Sequence, residues 1–136
     1  MKRPPALAHV GITVDDLDRA IAWYTDVIGL RLVAGPFEVR ASHPGVGAQA
    51  SDVFGDAFQA FRQAHLMTAN GVALEMFEFL EPRTERPPDS FAYWRIGLSH
   101  LCLIDPDIDG LVREIEGSGG RRRTSRIWNI FDGEPY

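Results

Sequence analysis

The sequence predicts an α+β fold made of two paired βαβββ modules, which form a curved mixed sheet with helices on its outer face. Three observations support this: apolar residues that alternate as in strands, apolar residues at helical spacing after capping signals, and an internal repeat. With 136 residues the chain is long enough for one compact domain over 1–136. We expect a first module over about 5–80, a linker over about 81–95 and a second, truncated module over about 96–136.

The first module opens with a strand and a helix. Residues 9–14 alternate, so that the two valines and the isoleucine share one face and His9 lies on the other. Asp15 or Asp16 then caps a helix whose apolar residues recur at helical spacing until Gly29 ends it. Because the apolar side of the strand packs under this helix, we expect His9 on the face without a helix.

Three further strands complete this module. Residues 30–34 predict the second strand, residues 58–69 the third and residues 72–79 the fourth, with an Asn-Gly hairpin signal at 70–71. The tract 36–55 is rich in proline, glycine and alanine and is expected to be a loop with strong turn chemistry. Its glycines do not open a helix after a strand, so they do not predict a phosphate-binding loop.

An internal repeat with an offset of 91 residues relates the start of the chain to its second half. It places His9 on His100 and Gly29 on Gly120, with a capping aspartate and a helical stripe between them in both copies. We therefore expect a strand over 100–104, with Cys102 as a small buried residue, and a helix that stops at Gly120. If the two copies pair side by side, both histidines line one concave surface.

Composition excludes several classes of protein. The net charge of −5 argues against nucleic-acid partners and against a polybasic membrane anchor. No apolar stretch is long enough to span a bilayer, and the single cysteine favours a reducing, cytoplasmic compartment. The arginines of 121–126 favour a solvated turn, with an arginine-lined mouth for an anionic small molecule as the alternative.

Two histidines and a carboxylate from separate strands can bind a divalent metal and leave coordination positions open for substrate. The candidates are His9, His100 and a glutamate of the fourth strand. Glu75 and Glu78 face opposite ways on that strand, and alternation alone does not choose between them.

Two further residues have open roles. His65 either faces the pocket from the third strand or has a structural role. Tyr24 fits the apolar stripe of the first helix, which favours a place in the core over one in the site.

Several segments together resemble a known family. In order along the chain they are HVGITV at 9–14, DLDRA at 16–20, WYTDVIGL at 23–30, NGVALE at 70–75 and GLSHLC at 97–102. Their order and spacing are similar to those of the vicinal oxygen chelate superfamily, which groups glyoxalases, bleomycin-resistance proteins and extradiol dioxygenases.

The resemblance implies a metal site and its ligands. It assigns ligands to the first and fourth strands of each module, which correspond to His9, Glu75 and His100, and it chooses Glu75 over Glu78. It also implies a divalent ion (zinc, nickel, iron, manganese or magnesium), a catalytic role for Glu75, a small-molecule substrate and a homodimer.

One departure from the family pattern concerns the fourth ligand. The repeat partner of Glu75 would lie at position 166, beyond Tyr136. Either the chain is a truncated form of a longer protein, or the site uses three protein ligands and more solvent. We expect truncation, because an unfinished module leaves an open sheet edge.

The resemblance leaves several functions open. The leading hypothesis is a metal-dependent lyase or isomerase that acts on a small oxygen-rich substrate, ranked slightly above an extradiol dioxygenase. The alternatives are a metal-independent protein that binds a small molecule such as an antibiotic, and a fragment without function. A binding cleft would use aromatic side chains, for which the candidates are Trp23, Phe77, Phe79, Phe91 and Trp94.

Overall fold

The computed structural model describes residues 3–87 and 92–125, and the chain divides into two compact units, Met1–Pro88 and Asp89–Tyr136. The first unit contains four strands and two helices, and the described part of the second contains one helix. In chain order these are β1 (His9–Thr13), α1 (Leu17–Asp26), β2 (Arg31–Arg40), α2 (Val46–Phe54), β3 (Ala60–Met67), β4 (Ala73–Glu81) and α3 (Ile108–Gly117).

The four strands form one mixed sheet in the order β1-β4-β3-β2. β1 runs parallel to β4, whereas β4 with β3 and β3 with β2 are antiparallel pairs. The connection through α1 carries the chain from β1 at one edge of the sheet to β2 at the other edge. A short turn joins β3 to β4, whereas the connection from β2 to β3 contains α2. This arrangement confirms the predicted α+β class.

Helix α1 forms where the capping signal predicted it. The side chain of Asp16 accepts a hydrogen bond of 2.9 Å from the backbone N–H of Arg19, which satisfies one of the free amides of the first turn. Gly29, with a φ of 79°, follows the helix in the left-handed region that favours glycine. The start and the stop of the predicted helix are therefore both confirmed.

One core cluster lies between α1 and the sheet. Its buried members are Leu17 of α1 and four residues of β3 and β4, and Ile12, Val14 and Tyr24 pack against them. The sheet members of this cluster are Ala64, Leu66, Leu74 and Met76. The alternation of β1 was therefore interpreted correctly, since Ile12 packs under the helix and His9 lies on the other face. Tyr24 belongs to this core, and burial raises the pKa of its phenol.

The prediction of a loop over 36–55 was wrong. The second strand continues to Arg40, and α2 occupies Val46–Phe54. Glycine is needed at position 47 inside this helix, because its position leaves no room for a Cβ against the backbone carbonyls of Arg40 and Ala41. The glycine allows the helix to pack closely on the end of β2, and turn chemistry is confined to the few residues between them.

A second core cluster lies beneath α2 and consists largely of phenylalanines. Val39, Ala50, Phe58 and Phe61 are buried in it, and partly buried Phe77 and Phe79 pack against them. The ring of Phe54, from the last residue of α2, lies 5.3 to 5.8 Å from the ring centroids of four of these phenylalanines. We call the five rings of Phe54, Phe58, Phe61, Phe77 and Phe79 the phenylalanine cluster.

The second unit agrees with the repeat only in its helix. Asp107 caps α3 by accepting from the N–H of Gly110 at 3.0 Å, and the N–H of Gly120 bonds to Ile115 at 2.8 Å after the helix ends. The strand expected over 100–104 is not formed among residues 92–125, where that segment has no strand partner, and Cys102 is exposed rather than buried. The sequence also predicts one further strand after this helix, around 123–131, and most of that range falls outside the described residues.

The described helices are also short. None within residues 3–87 and 92–125 has the length and apolar character needed to cross a membrane.

Candidate functional site

Three residues form a row across the middle of the sheet. Gly11 of β1 pairs with Glu75 of β4, and Glu75 pairs with His65 of β3. Directly paired residues on neighbouring strands point to the same side of a sheet. This side is opposite to the one covered by α1, and we call it the site face. The expectation that it carries no helix was wrong, because α2 packs on Phe77 and Phe79, which share this face with Glu75.

His9 approaches Glu75 from the β1 side. It lies two residues before Gly11, so strand alternation places it on the site face as well. Its Nε2 is 3.3 Å from Oε2 of Glu75, and the exposed fractions of the two side chains are 50% and 16%. The pair therefore joins an open imidazole to a largely covered carboxylate.

Two side chains of β3 approach the other oxygen of Glu75. His65 Nε2 lies 3.3 Å from Oε1, and the side-chain amide of Gln63 donates a hydrogen bond to the same oxygen. The amide nitrogen of Gln63 is also 3.0 Å from His65 Nε2. The rings of His9 and His65 have centroids 6.3 Å apart, on either side of the carboxylate.

Sequence reasoning left the role of His65 open and missed Gln63. The structure places both on the site face with their side chains partly buried. A signal was present for Gln63, because it alternates with His65 along β3. Its contact with Glu75 depends on the register between β3 and β4, which that alternation does not specify.

Gly11 leaves space beside the carboxylate. A Cβ built at this position would lie 3.9 Å from Oε2 of Glu75 and 3.8 Å from Cε2 of Phe77. A longer side chain would extend into this space. Glycine therefore keeps the β1 side of Glu75 open next to the phenylalanine cluster.

Glu78 has a structural environment on the opposite side of the sheet. Its Oε2 accepts from the backbone N–H of Leu17 at 3.3 Å and from Nη1 of Arg62 at 3.1 Å. Arg62 also bonds both carboxylate oxygens of Asp18, at 2.9 and 2.7 Å. These bonds attach the start of α1 to the sheet, so the structure separates Glu78 from the site face.

His100 belongs to the second unit. It is exposed, and the hydroxyl of Ser99 lies 3.0 Å from its Nδ1. Its assignment as a metal ligand stays a prediction.

The aromatic candidates for a cleft have different surroundings. Phe77 and Phe79 belong to the phenylalanine cluster. The rings of Trp23 and Tyr24 on α1 contact each other edge to face, with centroids 5.0 Å apart. Trp94 lies in the second unit and is 88% exposed. Phe91 lies outside the described residues.

Two donor atoms on the site face lie at a separation compatible with a shared metal ion. Ligand atoms about 2.0–2.2 Å from a zinc-like ion are separated by about 3.0–3.5 Å when they are neighbours in its coordination sphere. The 3.3 Å between His9 Nε2 and Glu75 Oε2 lies in this interval. Among residues 3–87 and 92–125, however, no group of three or more His, Cys, Asp or Glu side chains is arranged to hold a metal ion. The described donors therefore fit as a pair of ligands and not as a complete cage.

Comparison with known proteins identifies the family. Residues 6–127 match the model of the Glyoxalase/Bleomycin resistance protein/Dioxygenase superfamily. The chain belongs to this superfamily. The resemblance drawn from the sequence motifs is thereby confirmed.

A characterised relative and several solved structures agree with this membership. The chain is 30% identical over 135 residues to a 2-epi-5-epi-valiolone epimerase of Actinomyces sp., an alignment that covers 94% of this chain and 67% of the epimerase. A glyoxalase family protein from Bacillus cereus superposes with a TM-score of 0.67 at 24% identity, covering 87% of this chain and 74% of that one. A glyoxylase/bleomycin resistance protein/dioxygenase domain from Frankia sp. gives 0.56 at 22%, with coverage of 86% and 71%. At these identities the two structures show the shared fold.

Proposed function

We propose that this superfamily member is an isomerase, and specifically a metal-dependent epimerase of a small oxygen-rich substrate. One observation carries the proposal: an imidazole and a carboxylate, His9 and Glu75, meet at 3.3 Å on the site face of the sheet. The 30% identity to an epimerase over most of the chain supports isomerase chemistry in preference to the other reactions of the superfamily.

The ligands that we propose are His9 and Glu75, with His100 as the third by family resemblance. Imidazole nitrogen and carboxylate oxygen together suit zinc, nickel, iron and manganese, and they do not choose among these ions. When bound, the ion would act as a Lewis acid that stabilises negative charge on adjacent substrate oxygens. Gly11 has no side chain, so none from this position competes with those oxygens next to Oε2 of Glu75.

Glu75 is also the proposed proton acceptor. Epimerisation next to a carbonyl removes a proton from carbon and returns one to the opposite face, so the reaction needs no oxidant and conserves the substrate's mass. Glu75 is largely covered, with 16% of its side chain exposed, and its neighbours His9, His65 and Gln63 fix its position. A carboxylate held in this way is oriented before the substrate arrives, which lowers the cost of reaching the reactive geometry.

Solvent isotope exchange tests this proposal directly. The full chain, loaded in turn with zinc, nickel, iron(II), manganese and magnesium, is incubated in deuterated water with 2-epi-5-epi-valiolone and a panel of related cyclic polyhydroxy ketones. We expect NMR to show one deuterium entering next to the carbonyl together with a second epimer, and an oxygen electrode to show no oxygen uptake.

The matched variants are Glu75→Gln and Glu78→Gln, the same chemical change on opposite faces of β4. We expect the first to abolish exchange and the folded form of the second to retain it. Exchange that survives in Glu75→Gln contradicts the assigned role, and oxygen uptake with a catechol substrate would indicate a dioxygenase.

A metal-independent binding protein is the second candidate, and the phenylalanine cluster favours it. Phe77 lies beside Gly11 on the site face, and Phe54 is 39% exposed at the end of α2. Apolar walls with a few polar groups are typical of small-molecule sites. Calorimetric binding of a ligand such as bleomycin that is unchanged by a chelator, with no isotope exchange, would support this function over the epimerase.

A further inference from the structure

We propose that Gln63 is a positioning residue that holds Glu75 as a monodentate metal ligand. Its amide bonds Oε1 of the carboxylate and thereby reserves Oε2 for the ion. The inference rests on the proposed function, since it assumes that Glu75 binds the metal.

Hydrogen-bond chemistry fixes the direction of the contact. The carboxylate of Glu75 is an acceptor, so the Gln63 nitrogen that approaches Oε1 must be the donor. A side-chain amide has two N–H groups, and the same nitrogen lies 3.0 Å from Nε2 of His65. The amide of Gln63 therefore lies between the carboxylate of Glu75 and the imidazole of His65.

This arrangement also locks the amide against rotation. A flipped amide would place its oxygen against the Oε1 of Glu75, where two acceptors repel each other. The amide nitrogen of Gln63 is therefore kept on the proposed ligand.

The strand register gives the two oxygens of Glu75 different neighbours. Gln63 pairs with Phe77 and His65 pairs with Glu75, so both reach the carboxylate from β3 and meet Oε1. On the β1 side, Oε2 meets His9 at 3.3 Å and Gly11, which has no side chain. The oxygen without an amide donor is therefore the one that faces the other proposed ligand.

A carboxylate held by one oxygen cannot easily chelate an ion with both. β3 lies between two hydrogen-bonded neighbours, β4 and β2, which provides a rigid base for the Gln63 side chain. Loss of a hydrogen-bond partner that orients a metal ligand typically costs about 10–100-fold in metal affinity. We expect the loss of the Gln63 amide to have an effect of this size.

Cobalt(II) serves as the probe, because its visible d–d bands weaken as the coordination number rises. The variant is Gln63→Leu in the full chain, which removes the amide and keeps most of the side-chain volume. Gln49→Leu, the same substitution at an exposed position of α2, is the control. The dissociation constant is measured by competition with a chelator, and circular dichroism and a thermal melt check that each variant is folded.

We expect Gln63→Leu to bind cobalt about 10–100-fold more weakly than the wild type, with weaker d–d bands as Glu75 gains a second bond to the ion. Gln49→Leu should match the wild type in both measurements. If Gln63→Leu does not fold, X-ray absorption of the cobalt-loaded wild type replaces it, and a monodentate carboxylate is expected there.

The outcomes separate this inference from the proposed function. Wild-type affinity and spectrum in Gln63→Leu, or a bidentate carboxylate in the wild type, would overturn the role of Gln63 while leaving the metal site standing. If Glu75→Gln binds cobalt as tightly as the wild type, the proposed site itself is wrong, and this inference falls with it.

Discussion

Two glutamates three residues apart on β4 have opposite surroundings. Glu75 faces two imidazoles and an amide on the site face. Glu78 bonds the first turn of α1 and Arg62 on the other side. Because successive residues of a strand alternate between faces, an odd spacing is enough to give the two carboxylates separate functions.

Exchanging these glutamates one at a time for glutamine should separate metal binding from stability. We expect Glu75→Gln to lower metal affinity at least about tenfold with little change in the free energy of unfolding. Glu78→Gln should lower the free energy of unfolding by about 1–3 kcal/mol, because it weakens charge-assisted bonds to Arg62 and Leu17, and should keep the metal. Urea unfolding without metal and chelator competition measure the two effects. The opposite pattern would contradict the assignment of faces.

The ion pair between Asp18 and Arg62 predicts a pH dependence. The hydrogen bond from Arg62 lowers the pKa of Asp18 below its usual 3.8. A lowered pKa in the folded state means that this stabilisation is fully present above the unfolded-state pKa and is lost as the pH falls through the folded-state value. Asp18→Asn should therefore be less stable than the wild type at pH 7, and the difference should shrink below about pH 4.

Urea midpoints at pH 7, 4 and 3 measure this difference. Asp52→Asn, at an exposed position of α2, is the control and should follow the wild type throughout. A difference between Asp18→Asn and the wild type that stays constant down to pH 3 would show that the ion pair does not contribute through its charge.

At the scale of residues, the sequence predicted which face of a strand a side chain occupies better than it predicted the contacts between side chains. Alternation separated Glu75 from Glu78 and placed His9 opposite α1, since both depend only on the period of a strand. The family resemblance then selected Glu75. The contact of Gln63 and His65 with Glu75 depends on the register of three strands, which hairpin geometry and core packing determine together.

At the scale of elements, the main error of the sequence prediction is the loop over 36–55, where the structure has α2. Glycine at 45, 47 and 55 indicated turns, and two of these residues do have positive φ at the ends of the helix, 70° for Gly45 and 83° for Gly55. Gly47 is different, because it lies inside the helix against the backbone of β2. Its role depends on a tertiary contact and overrides its poor helix propensity.

The close contact of Gly47 with the backbone of β2 predicts that alanine has opposite effects at Gly47 and at Gly117. Gly47→Ala should lower the free energy of unfolding by about 1–3 kcal/mol, since the new methyl group meets the carbonyls of Arg40 and Ala41. Gly117 in α3 has open space around its Cβ position, so Gly117→Ala should be neutral or raise stability by up to about 1 kcal/mol. Chemical denaturation measures both variants. Equal stability of Gly47→Ala and the wild type would contradict the close packing of α2.

At the scale of the whole molecule, the two units differ in how much core they contain. Every buried apolar residue among the described ranges lies in the first unit, and α3 has none. The repeat predicted α3 and its cap, because both are local properties of the sequence. Its prediction of a strand over 100–104 was wrong, because a strand requires a partner and the offset of 91 residues supplies no partner.

Metal binding should depend on both of the histidines that the repeat relates, His9 and His100. A ligand that binds only the folded state raises stability, by about 2.7 kcal/mol when its concentration is 100 times the dissociation constant. We expect a divalent metal to stabilise the wild type in this way, and His9→Ala and His100→Ala each to abolish that gain while leaving the metal-free fold intact. Thermal melts with and without metal measure it.

His43→Ala is the matched control, because the Nδ1 of His43 accepts a local bond from the N–H of Arg40 at 3.2 Å and the residue has no assigned role in the site. It should keep the full gain on metal addition. Retention of the gain in His100→Ala together with its loss in His9→Ala would assign the metal to the first unit alone. His65, which already lies 3.3 Å from Glu75, would then replace His100 as the candidate for the third ligand.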